Sequence, residues 1–301
     1  MVTLERTDRS LNVMEQKTVR VALIQHAVSL DMGHNLKHAL ELARSAAEAG
    51  AEIICLQELF RTPYFPQTEG GDARAFAETV PGESTQAFAR LTEKYDTSVI
   101  VPLYEKTKSG RMHNTAVAIE NGTILLPPYR KVHIPHDPLF FEKSYFYPGN
   151  QYRVFDLKSV RVGVLICYDQ WFPEAARVVT LMGAEILFYP TAIGWIRGMA
   201  EPLEGDWRVA WETIQRGHAI ANGIHVAAAN RVGVEGDLEF WGSSFVSDSF
   251  GTIIARAGEY DDEVLITDIS LSMNELVREG WGFLRNRRPD TYRMITRKEV
   301  E

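Results

Sequence analysis

An apolar run, an amphipathic stretch and a second apolar run follow one another twice along this chain. The first set is Val19-Arg20-Val21-Ala22-Leu23-Ile24-Gln25, then residues 34–49, then Glu52 to Glu58. Within 34–49, Leu36, Ala39, Leu40, Leu42, Ala43, Ala46 and Ala47 recur at helical spacing, and Gly50 supplies the cap. The second set is Val160-Arg161-Val162-Gly163-Val164-Leu165-Ile166, a helix from Pro173 to Met182, and Gly183-Ala184-Glu185-Ile186-Leu187. That last run echoes Gly50-Ala51-Glu52-Ile53-Ile54. Pro173 suits the first turn of a helix, where its missing N–H is not needed. Each set predicts a β-α-β unit with a parallel strand pair. Strands this uniformly apolar are buried on both faces. Two such sheets packed face to face with helices outside give an α/β fold, a four-layer α-β-β-α sandwich with pseudo-twofold halves.

Further apolar runs predict strands at 97–104, 113–120, 224–229, 242–247, 252–256 and 263–268, and helices at 84–95, 207–222 and 271–279. No Gly/Ser linker divides the chain, so one domain is expected over 18–280. Residues 1–17 are polar and aperiodic and predict a flexible tail. Residues 281–301 predict a C-terminal arm. Its start, Trp281-Gly282-Phe283-Leu284-Arg285, mixes aromatics with arginine, a composition favoured in subunit contacts.

Composition narrows the class. The 301 residues are 45% hydrophobic with a formal net charge of −8, which excludes a protein built to bind nucleic acid non-specifically. No apolar run reaches the length of a membrane span, and the N-terminus lacks a signal-peptide core. Two cysteines make no disulfide framework and predict a reducing, cytoplasmic setting. Cys55 sits inside an apolar strand and reads as structural. Asn121-Gly122-Thr123 reads as a turn.

Cys167 closes the run 162–166 and opens Tyr168-Asp169-Gln170-Trp171-Phe172-Pro173-Glu174. A thiol at a strand end, before a turn and a helix, is held rigidly enough to act as a nucleophile. Glu58 follows Ile53-Ile54-Cys55-Leu56-Gln57, and Lys131 lies in Pro127-Pro128-Tyr129-Arg130-Lys131-Val132-His133. A thiol, a carboxylate and an amine form a set sufficient for acyl transfer. The thiol attacks a carbonyl carbon, and the carboxylate takes its proton and later activates water. The ammonium and backbone N–H groups near Tyr168 balance the charge on the tetrahedral intermediate.

These three segments resemble the Glu, Lys and Cys motifs of the nitrilase superfamily of carbon–nitrogen hydrolases. The stretches Cys167 to Arg177, Gly183 to Gly194, Arg216 to Asn222, Trp241 to Phe245 and Arg287 to Asp290 resemble the members that hydrolyse N-carbamoylputrescine. The likeness spans residues 18–294. It implies Glu58 as general base, Lys131 as acid or oxyanion stabiliser, Cys167 as nucleophile and Glu142 as an auxiliary glutamate. It implies a carbamoyl thioester on Cys167, no metal and no organic cofactor, and dimers or larger homo-oligomers joined through the C-terminal arm. Two positions depart from the pattern: Tyr168 stands where plant members often have Trp, and His136 where an acid is common.

An N-carbamoyl amine has an apolar chain and a cationic end. Tyr64, Phe65, Tyr168, Trp171, Phe172 and Trp195 are the candidate walls, and Asp137, Asp169 and Glu201 the candidate counter-charges. Three other readings compete. The pairs His34/His38 and His133/His136 could serve a metal hydrolase, although no His-Glu-x-x-His motif occurs. A fold that has lost its chemistry would serve as a binding subunit. A related amidase, nitrilase or carbamoyl-β-amino-acid hydrolase would use the same three residues. For a carbamoyl amino acid the pocket should present a cation to the substrate carboxylate.

Overall fold

The first apolar run sorts its side chains between two cores. In the computed structural model, which describes residues 17–199 and 205–298, this run forms β1 (Thr18–Gln25). Val19, Val21 and Leu23 enter one buried cluster, and Ala22 and Ile24 enter another. That split is the two-residue period of a strand. β2 (Ile53–Leu56), parallel to β1, divides alike: Ile53 and Cys55 to the first cluster, Ile54 and Leu56 to the second. α1 (Met32–Glu48) covers the second cluster with Leu36, Ala39, Ala43 and Ala46. Its N-terminus is capped by Asp31, which accepts from Gly33 N and His34 N. α2 (Glu83–Lys94), β3 (Ser98–Lys106), β4 (Met112–Glu120) and β5 (Thr123–Arg130) complete the first half.

The second half runs β6 (Val154–Asp156), β7 (Arg161–Val164), α3 (Pro173–Leu181), β8 (Ile186–Pro190), β9 (Gly194–Ile196), α4 (Trp207–Asn222) and β10 (His225–Ala229). It continues through β11 (Val232–Glu235), β12 (Leu238–Trp241), β13 (Phe245–Ser247), β14 (Ile253–Arg256), β15 (Glu263–Ser270) and α5 (Leu271–Trp281). Two six-stranded sheets result, ordered β15-β1-β2-β3-β4-β5 and β6-β7-β8-β10-β13-β14. In each, three parallel strands carry one antiparallel strand on one side and two on the other. The likeness reaches single bonds: Glu52 N donates to Arg20 O at 2.8 Å, and Glu185 N to Arg161 O at 2.9 Å. The sheets face each other across the first cluster, with α1 and α2 outside one and α3 and α4 outside the other. This is the four-layer sandwich that the sequence predicts.

Three features differ from the sequence reading. A third sheet of β9, β12 and β11 stands beside the sandwich. The strand expected at 242–247 begins only at Phe245, because Gly242 and Ser243 adopt left-handed backbone at φ 52° and 55°. β5 forms despite Pro127 and Pro128, as a sheet edge allows. Beyond α5, Gly282 caps the helix at φ 65°, and Trp281, Phe283, Met294 and Ile295 are exposed. Of the expected tail 1–17, residues 1–16 lie outside the described residues, as does Glu201. Among the described residues no helix is long and apolar enough to cross a membrane.

Candidate active site

Glu58 lies two residues beyond β2, fully buried. Its N–H donates to Thr191 O at 3.3 Å, and its carbonyl accepts from an Arg231 guanidinium N at 3.0 Å. Side-chain Oε1 accepts from Lys131 Nζ at 2.8 Å and from Asn114 Nδ2 at 2.7 Å, while Oε2 has no hydrogen-bond partner. Lys131 directly follows β5, held by its own N–H on Asn114 O at 2.8 Å. Its ammonium also donates to Glu142 Oε1 and Oε2, at 2.9 and 2.7 Å. The Tyr64 hydroxyl donates to Glu142 Oε1 at 2.8 Å. One ammonium thus faces two carboxylates out of contact with water. Buried charges are tolerable only when paired in this way.

Burial disfavours the Lys131 charge, but Glu142 and Glu58 outweigh it and hold the ammonium above the usual lysine range. Burial raises the Glu142 carboxyl to about 7; Glu58 adds to the rise, and Lys131 offsets part of it.

Cys167 follows the end of β7 at φ 43°, a left-handed conformation that costs a non-glycine residue energy. It opens a 3-10 turn, Cys167–Trp171, that leads into α3. Its Sγ lies 3.9 Å from Ala192 O. Burial pushes the thiol well above the ordinary range; Glu58 adds, Lys131 subtracts, and Glu142 adds again. The neutral thiol is thereby favoured over the thiolate, and a base assists its ionisation. Cys167 is 7% exposed, whereas Glu58, Lys131 and Glu142 are fully buried. Cys167 and Glu142 both line a cavity of about 460 Å³.

Asp169 ties the Cys167 turn to the Lys131 segment. Its Oδ2 accepts from Ile166 N at 2.9 Å and Tyr129 OH at 2.6 Å. Its Oδ1 accepts from His133 N at 3.0 Å and His133 Nδ1 at 2.8 Å. Tyr129 and His133 flank Lys131 by two residues on either side, and Ile166 precedes Cys167. Asp169 is therefore committed to the scaffold and does not face a substrate. A thiol, a carboxylate with one free oxygen and an ammonium can together perform nucleophilic attack, proton transfer and oxyanion stabilisation at one carbonyl.

Residues 20–279 match the carbon-nitrogen hydrolase family. The chain belongs to that family. It is similar to the N-carbamoylputrescine amidase of Solanum lycopersicum, 38% identical over 293 residues that span 93% of this chain and 96% of that protein. It is similar also to the citrullinase of Francisella tularensis, 35% identical over 288 residues, 93% of this chain and 99% of that one. The crystal structure of a carbon-nitrogen hydrolase from Helicobacter pylori G27 superposes with a TM-score of 0.88 at 39% identity, covering 94% of this chain and 100% of that chain. The fold is that of the nitrilase superfamily. Family membership makes the chain an enzyme class: a hydrolase of carbon–nitrogen bonds.

Within this carbon–nitrogen hydrolase, the expected walls divide. Tyr168 and Trp171 line the cavity, together with Phe140, Ile196 and Trp207. Trp195 is not in that lining. It sits between Gly194 and Ile196 on β9, both in the lining, and packs against Trp241 and the lining residue Trp207. Phe65 is also displaced: a 3-10 turn, Phe65–Gln67, rotates it into a cluster with Phe76, Tyr104, Tyr145 and Phe146. Tyr64 stands behind Glu142 and not in the lining. Phe172 stacks on His133 at 3.6 Å. Of the counter-charge candidates, Asp137 reaches the cavity mouth. The histidines find separate partners: His38 pairs with Asp262, His133 with Asp169 and His136 with Glu69.

Asn114 and Arg231 were not foreseen. Asn114 had a signal, a polar residue opening an apolar strand. Arg231 had a weaker one, a charge two residues after the apolar run 224–229. Its guanidinium donates to the carbonyls of Glu58, Leu59 and Thr62 and fixes the backbone that carries the carboxylate.

Proposed function

We propose that this enzyme hydrolyses N-carbamoylputrescine to putrescine, carbon dioxide and ammonia. The observation that carries the reading is that the Lys131 ammonium joins Glu58 to Glu142, and that Glu142 and Cys167 line one cavity. Glu58 takes the Cys167 proton, and sulfur attacks the ureido carbon. Lys131 and backbone N–H groups near Tyr168 stabilise the oxyanion. Ammonia departs and leaves a carbamoyl thioester, which water activated by Glu58 then cleaves. The released carbamate loses carbon dioxide. Glu142 acts by holding Lys131, and Tyr64 by holding Glu142. No metal or organic cofactor enters.

Two observations support the choice of a cationic amine. The plant relative at 38% identity bears the name of that activity. Among the described lining residues, the charged side chains are Asp137 and Glu142, both acids. Asp137 at the mouth suits an ammonium, and Tyr168, Trp171 and Trp207 suit a methylene chain. The likeness to a citrullinase favours a second reading, a carbamoyl amino acid. Its carboxylate would face those same acids.

The test is ammonia release from carbamoylputrescine, citrulline, carbamoyl-β-alanine and simple amides, assayed side by side with Cys167→Ala as control. Carbamoylputrescine should give the highest kcat/KM, with a carbamoyl adduct on Cys167 in the mass spectrum of the quenched enzyme. Full activity in Cys167→Ala would end the mechanism, and preference for citrulline would end the substrate choice.

We further infer a homo-oligomer. Ile220, Phe250, Trp281 and Phe283 form a partly exposed apolar patch on the outside of α4 and at the start of the arm. Light scattering tests it: a monomeric mass would refute it. Two unpaired cysteines, Cys55 and Cys167, support a cytoplasmic setting.

A further inference from the structure

Asn114 is a fully buried polar side chain on β4 to which the reaction above gives no part. We propose that Asn114 is a positioning residue that decides which oxygen of Glu58 is the base. The proposal rests on Glu58 being the base at all.

The geometry is specific. Glu58 Oε1 carries two donors, Lys131 Nζ at 2.8 Å and Asn114 Nδ2 at 2.7 Å. Oε2 is buried and carries none. Hydrogen bonds to a carboxylate oxygen stabilise its charge and lower its appetite for a proton. Oε2 is thereby the oxygen left open to accept a proton. An ionised carboxylate only accepts, so the Asn114 amide must present its NH₂ to Glu58. The same residue holds the second member of the set, since its carbonyl accepts from Lys131 N at 2.8 Å. One residue therefore sets the base by its side chain and the ammonium by its main chain.

Stability does not account for the residue. Asn114 Oδ1 is buried with no partner, which lowers stability, and beyond Thr115 the strand continues with Ala116, Val117 and Ala118. An apolar residue would suit the strand better; an amide suits the carboxylate.

The proton account is closed. In the first half the Cys167 S–H bond breaks, an Oε2–H bond forms, and the sulfur electron pair makes the S–C bond. That proton passes to the leaving nitrogen as the C–N bond breaks. In the second half Oε2 takes a proton from water, the hydroxyl adds to the thioester carbon, and the proton returns to sulfur as the C–S bond breaks.

The test compares Asn114→Asp and Asn114→Ala with wild type and with Cys167→Ala. Asn114→Ala should lower kcat about 10- to 100-fold, the range for losing one hydrogen bond to a charged group. KM should stay within about threefold, because the residue acts through Glu58 and touches no substrate. Alkylation of Cys167 by iodoacetamide, which also needs its proton removed, should slow in parallel. Asn114→Asp keeps the size and removes the donor, and should lose at least as much, so it carries the test if the alanine variant does not fold. Wild-type kcat in Asn114→Asp, or a loss confined to KM, overturns the proposal. Wild-type kcat in Asn114→Asp with an inert Cys167→Ala sinks the role of Asn114 alone. Activity in Cys167→Ala sinks the underlying reading instead.

Discussion

Replacing Asp169 should cost stability and rate together, by amounts that its four hydrogen bonds set. Each carboxylate oxygen accepts from two donors, one of them a backbone N–H: Ile166 N on Oδ2 and His133 N on Oδ1. In Asp169→Asn one oxygen becomes NH₂. If Oδ2 is the one replaced, the Tyr129 hydroxyl can turn and accept, but Ile166 N is stranded. If Oδ1 is replaced, His133 Nδ1 can switch tautomer and accept, but His133 N is stranded. Either orientation abandons one backbone donor, a loss of about 1–3 kcal/mol. Asp169→Ala strands both backbone donors and the buried Tyr129 hydroxyl, about 3–5 kcal/mol. Those donors lie beside Cys167 and on both sides of Lys131, so kcat should fall about 10- to 100-fold as the two segments lose registry. Urea unfolding followed by tryptophan fluorescence gives the first quantity, and ammonia release gives the second. An Asp169→Asn variant within about 0.5 kcal/mol of wild type and fully active would refute the reasoning. So would an alanine variant no less stable than the asparagine one.

Two further outcomes follow from the ionic cluster. Lys131→Ala should lower kcat by at least ~10²-fold, as for loss of a major oxyanion donor, read by steady-state ammonia release. Glu142 is charged above about 7 and neutral below it, so on acidification Lys131 loses one of its two anionic partners. The acid limb of kcat/KM should therefore fall near pH 7, and Glu142→Gln, neutral at every pH, should lack that limb; an unchanged limb in the variant would contradict the assignment.

Most of the scaffold was legible because its strands are buried on both faces. Val21–Ile24, Ile53–Leu56 and Ile186–Pro190 have no polar face to blur the signal, and the matched pairs Arg20/Glu52 and Arg161/Glu185 repeat in sequence as they do in space. The placement of Glu58, Lys131 and Cys167 just past strand ends was legible, and Lys131 pairs with Glu58. The third sheet was not, since β9 has three residues and its hairpin partners four each. Side-chain direction was the other gap. Composition marks Trp195 and Phe65 as aromatics near the motifs, but neither is in the cavity lining. Asn114 and Arg231 act on groups 56 and 173 positions away in the chain, a separation that no local pattern encodes.

The sealed cluster and the open mouth answer differently to dissolved ions. Glu58, Lys131 and Glu142 have no solvent around them for counterions to occupy, so potassium chloride should leave the bond-breaking step nearly untouched. Asp137 stands in the ionic atmosphere, where attraction for an incoming cation fades over about 8 Å at physiological strength. For the cationic amine proposed as substrate, a change in ionic strength would then alter how well it is captured without altering how fast it is cut once held.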